Sequence, residues 1–561
     1  MMNNLTKIVC TIGPSCHSVE MIKKLIQRGM NVARMNFSHD PHELQLEKIN
    51  MVRQASAELN SPVAILADIQ GPKIRVAALE KPIELAGGTE VTVTTREGVS
   101  GPDVIPTIYK NLPHDVMAGS RILLDDGRLE LRVLEVVSDT DVLCAVIKGG
   151  LLKSKKGINL PGVNVSAPAV TEKDLKDIEF VLEHDVDYIA LSFVRRASDI
   201  ERVKEIIHRH KKDTPLVAKI ERHEAIENFD SILKAADAIM VARGDLGVEL
   251  SPERVPTIQK TIIQKCNQAG KPVIVATQML ESMVDNPMPT RAEASDVANA
   301  IIDGADAIML SGETATGNYP EEAVAVMSKI SEDVERFVLR NRQNLTKSFN
   351  PIHMVADGLC YATTHTAIDI GAKLIVTYTE SGRTALLISK YRPSLPIMAI
   401  TVSDKISRRI NLYWGVLPAT ISRVTSLEEV MMRSEETAIA SGMVKNGDHI
   451  LITAGIPFGK AGSTNIMKIQ KITFVPEEAS ADAVKAFKTK RISMFECAEN
   501  KLKLSFDRAL CTSCGDCVAV CAFKIFEMKS GEVVVNEENL RKCQKDGICV
   551  QYCPYKAINI S

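Results

Sequence analysis

The sequence has almost no excess charge of either sign, because 68 Lys and Arg residues nearly balance 70 Asp and Glu residues and leave a net charge of -2. A strong field of one sign, which would attract nucleic acid or an anionic membrane surface, is therefore excluded. The chain also lacks any apolar run near the ~18 residues that a membrane span needs. Its first residues, MMNNLTKIVCTIGP, contain no signal-peptide core. We expect a cytoplasmic protein that binds neither nucleic acid nor membrane.

At 561 residues the chain is long enough for three or four domains, and 45% hydrophobic and 25% charged residues are typical of a globular protein with a large core. Its 13 cysteines are unevenly spread, with seven of them between positions 511 and 553. The other six are Cys10, Cys16, Cys144, Cys266, Cys360 and Cys497. We expect those six to be reduced core thiols and the crowded seven to be metal ligands.

The stretch from Val217 to Glu249 predicts a strand, a helix, a second strand and a glycine turn. This order puts Glu221 and Asp245 at the carboxyl ends of neighbouring parallel strands, which form the active-site face of a (β/α)8 barrel. Two hard oxygen ligands with open positions left over suit Mg²⁺, and Lys219 adds a cation beside them. The alternative is a pair of surface carboxylates with a structural ion pair to Lys219.

Strands alternate with helices over residues 1–75 and 169–338, which predicts an α/β fold with a (β/α)8 TIM barrel as the catalytic domain. Polar side chains recur where the predicted strands end. Each could be a solvated loop residue, but the repetition makes coincidence less favoured than a functional placement. They are Arg34, Asn36, Ser38, His39, Asp68, Lys73 and Arg75, and later Thr277, Gln278, Ser311, Glu313 and Thr314.

Residues 76–168, between these two segments, alternate apolar and polar residues at period two, with Gly and Asp-Gly turns. The pattern predicts a small antiparallel β domain inserted between two barrel strands. Lys155 and Lys156 lie on the stretch that returns the chain to the barrel. The alternative for them is a solvated pair.

A polar linker at 338–352 leads to a second α/β domain over residues 353–472. In it a strand runs into the turn at 379–384, and the N-terminus of the next helix together with Arg383 predicts a phosphate cradle. The alternative is a simple capping turn with Ser381 or Thr384. GIPFGKAGST at 455–464 imitates a phosphate loop, but Ala461 stands where a Mg²⁺-binding Ser or Thr is required.

Residues 473–504 are mixed and charged and predict a helical connector. Beyond them, CTSCGDCVAVCAF and CQKDGICVQYCPY form an internal repeat offset by 32 residues (543 − 511 = 32). The spacing C-x₂-C-x₂-C-x₃-C lets three thiolates of one loop face one iron-sulfur cube, as in two-cluster ferredoxins. A four-cysteine zinc site or disulfide bonds are the alternatives.

Residues 505–561 thus resemble the bacterial-type ferredoxins, which have an α+β fold. The resemblance implies a first 4Fe-4S cluster on Cys511, Cys514, Cys517 and Cys553. The second ligand set is Cys521, Cys543, Asp546 and Cys549. Because Asp546 replaces a thiolate, we expect a 3Fe-4S or an Asp-ligated 4Fe-4S cluster there, and a lost second cluster with idle cysteines is the alternative.

Residues 1–472 resemble the pyruvate kinases from end to end. The matching stretches are KIVCTIGP, NVARMNFSH, DIQGPKIR, KKGINLPG, AKIER, MVARGDLGVE, ATQMLESM, PTRAEASDVANAI and MLSGETATGNYP. The resemblance implies a barrel split by a small β-barrel lid, followed by a regulatory domain. It also implies transfer of the phosphoryl group of phosphoenolpyruvate to ADP, with Mg²⁺ or Mn²⁺, usually in a homotetramer.

The resemblance also assigns roles to single residues. It implies that Glu221 and Asp245 bind the metal, and that Lys219 and Arg34 contact the transferring phosphoryl group. The backbone N–H groups of Gly244 and Asp245, with Thr277, would bind the substrate carboxylate, and Thr277, Ser311 and water would deliver the proton. The residues implied for binding the nucleotide phosphates are Asn36, His39, Arg75 and Lys156. Those implied for binding an effector, expected to be a sugar phosphate or a nucleotide, are Thr379, Ser381, Gly382, Arg383 and Thr384.

One departure from the common pattern concerns the monovalent cation. Many pyruvate kinases require K⁺, held by residues that match Asn36, Ser38, Asp68 and Ile69, and they have Glu where this chain has Lys73. An ammonium built into the chain supplies the charge that K⁺ otherwise brings, so we expect K⁺-independent activity. A Lys73 solvated in its loop is the alternative.

The leading hypothesis is an active glycolytic pyruvate kinase whose iron-sulfur domain serves redox sensing or electron transfer with a redox partner. The alternative is a catalytically silent phosphoenolpyruvate-binding body that docks a ferredoxin-type carrier to an oxidoreductase. The intact Lys219, Glu221 and Asp245 favour the enzyme.

Overall fold

The computed structural model describes residues 4–38, 40–99, 101–340, 354–456, 464–473, 492–497, 502–507, 516–529, 532–544 and 558–560. Eight parallel strands close into a barrel, with the first strand paired to the last through Lys7 opposite Ala307. The strands are Lys7–Thr11, Met30–Asn36, Ala64–Ile69, Tyr188–Leu191, Leu216–Ile220, Ala238–Ala242, Val273–Ala276 and Ala307–Leu310. The expected (β/α)8 barrel is confirmed.

Helices surround this barrel and shield its outer face. The first of them illustrates how the sequence sets their ends: the Ser18 side chain accepts a hydrogen bond from the Met21 backbone N–H, and Gly29 ends the helix at a φ of 126°. The helices are Val19–Arg28, His42–Glu58, Glu172–Glu183, Ala197–Arg209, His223–Glu227, Phe229–Ala235, Arg243–Glu249, Val255–Ala269, Arg291–Asp303, Gly312–Ala315 and Pro320–Arg340. Short 3₁₀ turns at Pro14–Cys16, Pro252–Arg254 and Glu281–Val284 complete this region.

The barrel interior is a packed core, because every second residue of a barrel strand points toward the axis. The inward-facing apolar residues include Val9, Val32, Leu66, Ala190, Val217, Met240, Ile274 and Met309. Leu412 and Tyr413, from the second α/β domain, join the same cluster. That domain therefore closes one end of the barrel, and the opposite, carboxyl end of the strands stays open for a site.

The small β domain follows the third barrel strand and precedes the fourth. It has a six-stranded and a two-stranded sheet. Neighbouring strands within each sheet run antiparallel, except at one edge of the larger sheet, where Glu90–Thr94 and Val104–Pro106 run parallel. Its strands are Ile83–Leu85, Glu90–Thr94, Val104–Pro106, Arg121–Leu124, Leu129–Val136, Asp141–Lys148, Gly150–Leu152 and Ile158–Asn159, with one helix, Leu112–Asp115. Its own apolar core includes Val93, Leu131 and Cys144.

The second α/β domain has a five-stranded sheet with four parallel strands and one antiparallel edge strand. In spatial order the strands are Val416–Thr420, Ile397–Thr401, Leu374–Tyr378, His449–Gly455 and Thr464–Lys471. Its helices are Val355–Asp369, Arg383–Lys390, Asp404–Arg409 and Leu427–Ala440, with a 3₁₀ turn at Ile410–Leu412. Ala461 of the rejected phosphate loop lies outside the described residues.

The C-terminal part differs from the expected helical connector. Ile492–Cys497 is a strand that pairs antiparallel with Leu502–Asp507, and Ile558–Ile560 adds a third strand. The apolar-polar alternation of KLKLSFD, with Leu502, Leu504 and Phe506 buried, explains why this stretch pairs as a sheet. The other elements are the helix Asp516–Val520, the hairpin Phe526–Lys529 and Glu532–Val535, and the 3₁₀ turn Glu537–Lys542.

None of the helices in the described ranges combines the length and the hydrophobicity that crossing a bilayer requires.

Candidate active site

A layer of polar side chains covers the carboxyl end of the barrel core. On six strands, the residue two positions after an inward-facing apolar core residue is polar and faces inward as well. These positions are Thr11, Arg34, Asp68, Ser192, Lys219 and Ser311. Because inward-facing residues repeat at period two, the alternation that fills the core also aims these groups at the barrel mouth.

Lys219 lies at the centre of this layer. Its ammonium donates to the Ser192 Oγ at 2.7 Å and to an oxygen of Asp68 at 3.1 Å, and it lies 2.9 Å from an oxygen of Glu221. Burial alone would lower the pKa of Lys219, but the charges of Asp68 and Glu221 outweigh burial and raise it. The ammonium is therefore a permanent positive charge at physiological pH.

Asp68 is shared between two cations. It accepts from the Arg34 Nε at 2.7 Å on one oxygen and from Lys219 on the other, while Arg34 also donates to the Thr11 hydroxyl at 2.9 Å. Burial would raise the pKa of Asp68, yet the charges of Lys219 and Arg34 lower it. Asp68 therefore orients the two positive groups that face the mouth.

The two predicted metal ligands differ in their surroundings. Glu221 is buried, and its second oxygen accepts from the backbone N–H of Phe193 at 2.7 Å. Asp245 follows the sixth barrel strand in the first turn of Arg243–Glu249, and its side chain is 27% exposed. Burial raises the pKa of Glu221 despite Lys219, and the charge of Asp245 raises it further. Two carboxylates that repel each other at an open mouth match the needs of a divalent cation.

Thr277 is held in a strained backbone conformation next to this helix. Its φ is 72°, and that of Gln278 is 55°, in the left-handed region that non-glycine residues seldom adopt. The Thr277 hydroxyl accepts from the Gly244 N–H at 2.8 Å, and the Arg243 guanidinium donates to the Thr277 carbonyl at 2.8 Å. These bonds bring together the three residues expected to meet the substrate carboxylate, Gly244, Asp245 and Thr277.

The Ser311 hydroxyl lies at the barrel mouth. Its backbone N–H donates to an oxygen of Glu313 at 2.6 Å, which fixes the residue at the end of the eighth strand. Its Oγ is buried and makes no hydrogen bond within the described part of the chain. An orphaned hydroxyl at a barrel mouth is positioned to bond a ligand or a water.

The residues expected to bind nucleotide are divided between the barrel and the lid. Asn36 accepts from the Ser38 N–H at 3.1 Å. The guanidinium of Arg75 donates to the Lys155 carbonyl at 3.2 Å, and Lys156 forms a 2.7 Å ion pair with Asp125. His39 lies outside the described residues. In this structure the Lys156 ammonium is thus held within the lid.

The predicted effector turn is closed by its own side chains. The Thr379 hydroxyl accepts from the Gly382 N–H at 2.9 Å, and the Thr384 and Thr464 hydroxyls are 2.6 Å apart. Gly382 occupies the N-cap position, so neither Ser381 nor Thr384 caps the helix as the alternative had it. Ser381 and Arg383 are exposed.

Three of the eight expected iron-sulfur ligands are described. Cys517 and Cys543 are buried and Cys521 is half-buried, all in one small hydrophobic core. The other five, Cys511, Cys514, Asp546, Cys549 and Cys553, lie outside the described residues. Among all the residues that the structure describes, no three His, Cys, Asp or Glu side chains are grouped in a way that could hold a metal ion.

Two residues of the site were missed by sequence reasoning. Ser192 continues the inward alternation of Tyr188 and Ala190 in YIALSFV, so the pattern itself could have identified it. Arg243 stands in the ARGDLG stretch, but its contacts with Thr277, Gln278 and Asp296 join segments that lie more than thirty residues away along the chain and give no local signal.

The sequence patterns of known families match most of the chain. The pattern described as "Pyruvate kinase, barrel domain" covers residues 3–324, and "Pyruvate kinase, alpha/beta domain" covers residues 357–470. The chain belongs to the pyruvate kinase family.

Individual pyruvate kinases are similar over the same region. The chain is 48% identical over 468 residues to the pyruvate kinase of Bacillus licheniformis and 48% identical over 474 residues to that of Staphylococcus aureus (strain MRSA252). Each match covers 83% of this chain and 80% of the relative. The crystal structure of a pyruvate kinase from Cryptosporidium parvum superposes with a TM-score of 0.78 at 39% identity, covering 84% of this chain and 96% of that chain. The chain is thus a pyruvate kinase, an enzyme of phosphoenolpyruvate and ADP, and its family implies Mg²⁺ as cofactor.

Proposed function

We propose that the polar layer at the barrel mouth carries phosphoryl transfer from phosphoenolpyruvate to ADP, with Lys219 as its central group. The observation that carries this proposal is the Lys219 ammonium itself, which is buried, permanently charged and held by Asp68, Ser192 and Glu221. A loose phosphoryl-transfer transition state needs charge neutralisation and alignment more than covalent chemistry. A cation fixed by three partners supplies both without reorganising during the reaction.

The proposed metal site consists of Glu221 and Asp245. Both are hard oxygen donors, and burial with mutual repulsion raises the pKa of Glu221, which a divalent cation would relieve. When bound, Mg²⁺ or Mn²⁺ supplies neutralising charge for the phosphoryl and enolate oxygens. The remaining ligands would come from substrate and water.

Other side chains divide the remaining tasks. Arg34, oriented by Asp68 and Thr11, faces the phosphoryl group. The N–H groups of Gly244 and Asp245, with Thr277, hold the substrate carboxylate. The Ser311 hydroxyl, which makes no hydrogen bond to any described residue, passes a proton, with Thr277 and water, to the enolpyruvate. Asn36, His39, Arg75 and Lys156 take the nucleotide, with Lys156 exchanging its Asp125 partner for a phosphate.

The test is ADP-dependent pyruvate formation by Glu221→Gln and Asp245→Asn. Each should lose activity by at least about 10²-fold, because removing one charge of a preorganised site costs on that order. Asp213→Asn is the matched control, since its carboxylate pairs with Lys405 and Arg409 of the second α/β domain, remote from the mouth. Activity unchanged in Glu221→Gln and Asp245→Asn would overturn the assignment.

We propose that activity does not need K⁺. The Lys73 ammonium lies 3.8 Å from a carboxylate oxygen of Asp245, so a positive charge from the chain stands beside the metal ligands. Asp68, one of the residues matching the family's cation site with Asn36, Ser38 and Ile69, is already engaged by Arg34 and Lys219. Equal rates in Na⁺ and K⁺ are expected, and Lys73→Glu should create a K⁺ requirement. A large K⁺ stimulation of the wild type would refute the proposal.

We propose that the cysteine repeat binds iron-sulfur clusters and serves redox sensing or electron transfer with a redox partner. Its support is the C-x₂-C-x₂-C-x₃-C spacing. Electron paramagnetic resonance of anaerobically purified and chemically reduced protein should show a 4Fe-4S signal, lost in Cys517→Ser and kept in Cys497→Ser. A second signal should report a 3Fe-4S or Asp546-ligated cluster. If the kinetics of pyruvate formation differ between protein with reduced and protein with oxidised clusters, the clusters regulate the kinase; identical kinetics would leave them a role in structure or docking. Purified protein without iron would refute the clusters.

We also propose that the turn at 379–384 binds a sugar-phosphate or nucleotide effector, and that the enzyme is a cytoplasmic homotetramer. The support for the effector is the pair of exposed side chains, Ser381 and Arg383, on a turn closed by Thr379. Arg383→Gln should abolish activation by any such ligand and leave the basal rate unchanged. Sedimentation of the full chain tests the tetramer.

A further inference from the structure

A cluster of ionisable, mostly buried side chains adjoins the proposed metal ligands along the chain. It contains Arg222, His223 and Glu224, which follow Glu221 in the chain, and Glu249, which ends the helix Arg243–Glu249. The Arg222 guanidinium donates to an oxygen of Glu249 at 3.3 Å, and the side chains of this pair are 9% and 1% exposed.

The cluster is poorly satisfied for a buried network. The Nδ1 of His223 lies 3.5 Å from Glu224 and 3.6 Å from Glu249, and the Arg222 Nε lies 3.8 Å from Glu224. Four of its polar atoms have no hydrogen-bond partner within the described ranges: Arg222 Nε, His223 Nδ1, Glu224 Oε2 and Glu249 Oε2. Orphaned buried polar atoms cost stability, and buried ion pairs are often no better than apolar replacements. Stability alone therefore does not account for this cluster.

The connections of the cluster give it a geometric role. Arg222 is the next residue after Glu221, and Glu249 is four residues after Asp245 on the same short helix. The start of that helix is anchored by Arg243, whose guanidinium bonds Thr277 and Asp296. Its end is anchored by Arg222. Within the described part of the chain, the ion-pair contact of the Asp245 side chain is the 3.8 Å approach of Lys73, and both side chains are more than a quarter exposed. The helix that carries Asp245 is therefore better fixed by its two ends than by Asp245 itself.

We propose that the Arg222–Glu249 pair is a positioning pair that sets the separation of the two metal ligands, Glu221 and Asp245. It fastens the strand-end that carries one ligand to the helix that carries the other. Releasing it lets the helix pivot about its Arg243 anchor and moves Asp245 away from Glu221. The inference rests on the proposed metal ligands, and it adds residues that do not touch the metal.

The experiment measures Mn²⁺ binding to the full-length enzyme without substrates, from the signal of free Mn²⁺ in electron paramagnetic resonance. Glu249→Gln and Arg222→Gln should each weaken binding by about tenfold, as expected when a supporting residue of a metal site is lost. The turnover number at saturating Mn²⁺ should change by less than about threefold, because the catalytic groups remain. Glu249→Asp, which keeps the charge, should bind Mn²⁺ with intermediate affinity.

The double variant Arg222→Gln/Glu249→Gln distinguishes a pair from two unrelated effects. If the two residues act through one contact, the double variant binds Mn²⁺ about as well as either single variant. Additive losses would overturn the inference. So would unchanged Mn²⁺ affinity in both single variants.

Two reference variants separate the possible failures. Arg392→Gln breaks an equally buried 2.8 Å pair with Asp306, at the start of the eighth barrel strand, and should lower the melting temperature without changing Mn²⁺ affinity. Glu221→Gln should abolish tight Mn²⁺ binding. If Glu221→Gln binds normally, the proposed metal ligands are wrong; if it fails to bind while Glu249→Gln and Arg222→Gln bind normally, only the positioning pair is wrong. Weaker Mn²⁺ binding in Arg392→Gln would mean that lost stability alone explains the effect, and would overturn the inference.

Discussion

Replacing Lys7 by Met should change how the stability of the enzyme depends on pH. Lys7 begins the first barrel strand and is 1% exposed, and its ammonium donates to the Val416 carbonyl of the second α/β domain at 2.7 Å. Burial lowers the pKa of Lys7 from 10.5 to about 8, although the nearby Glu335 carboxylate acts in the opposite direction. The folded state therefore holds this proton less tightly than the unfolded state does.

The sign and the size follow from proton linkage. Between pH 8 and 10.5 the unfolded chain is protonated at Lys7 and the folded protein is not, so the unfolding free energy rises with pH in that window. Each tenfold difference in proton affinity corresponds to about 1.4 kcal/mol, which makes the whole effect roughly 3 kcal/mol. Between pH 7 and 9.5 the accessible part is about 2 kcal/mol.

The measurement compares urea unfolding of wild type and Lys7→Met at several pH values. The chain has a single Trp, Trp414, two residues before Val416 and 7% exposed, so its fluorescence reports this contact directly. Wild type should gain stability relative to Lys7→Met as pH rises from 7 to 9.5. Lys405→Met, at the exposed rim of the same domain contact, is the control and should parallel wild type. Parallel curves for Lys7→Met and wild type would refute the reasoning.

Three further substitutions test other parts of the structure. Lys219→Met should lower kcat by about 10³-fold, since it removes the central fixed charge of the site, and a coupled assay of pyruvate formation measures it. Leu412→Ala should lower the unfolding free energy by about 2–5 kcal/mol, measured by urea denaturation, because it leaves a cavity at the closed end of the barrel. Gly382→Ala should lower the unfolding free energy by about 1–3 kcal/mol, which a lower melting temperature would report. The added Cβ would lie 2.6 Å from Ile410, and the φ of 82° disfavours a side chain. A neutral result at any of the three would contradict the contact on which it rests.

The elements of the barrel were predictable because their signals are local. Helix ends such as Gly29 and the strand end before Glu221 follow from spacing within a few positions, whereas the stretch around Asp245, expected to be a glycine turn, is the helix Arg243–Glu249. What could not be predicted depends on contacts between distant segments. The Asp68 carboxylate bridges Arg34 and Lys219 across strands separated by more than a hundred residues, and no local pattern encodes that bridge.

The strand Ile492–Cys497 shows that pairing with another segment can also make a local prediction wrong. Its sequence lies at the end of a charged stretch that predicts a helix, yet it pairs along its whole length with Leu502–Asp507. Pairing with a neighbour overrides the weak intrinsic preference of a short segment.

The residue roles taken from the family resemblance follow neither from local patterns nor from the contacts in the structure. They stay predictions until the variants above are measured.

The two ends of the barrel divide the work of the fold. At the closed end, the Asn411 side chain donates to the carbonyls of Asn31 and Pro62, and Tyr188 donates to the Arg409 carbonyl. The Asn411 bonds satisfy carbonyls at the starts of barrel strands, and the Tyr188 bond satisfies a carbonyl of the second α/β domain, so that domain completes the barrel rather than merely attaching to it. The strand that Tyr188 begins leads directly to Ser192, which holds Lys219 at the mouth. Stability is thus concentrated where the strands begin. The mouth instead keeps repelling carboxylates, a strained Thr277 and a Ser311 hydroxyl that has no hydrogen-bond partner among the described residues, features that a stable core would not tolerate.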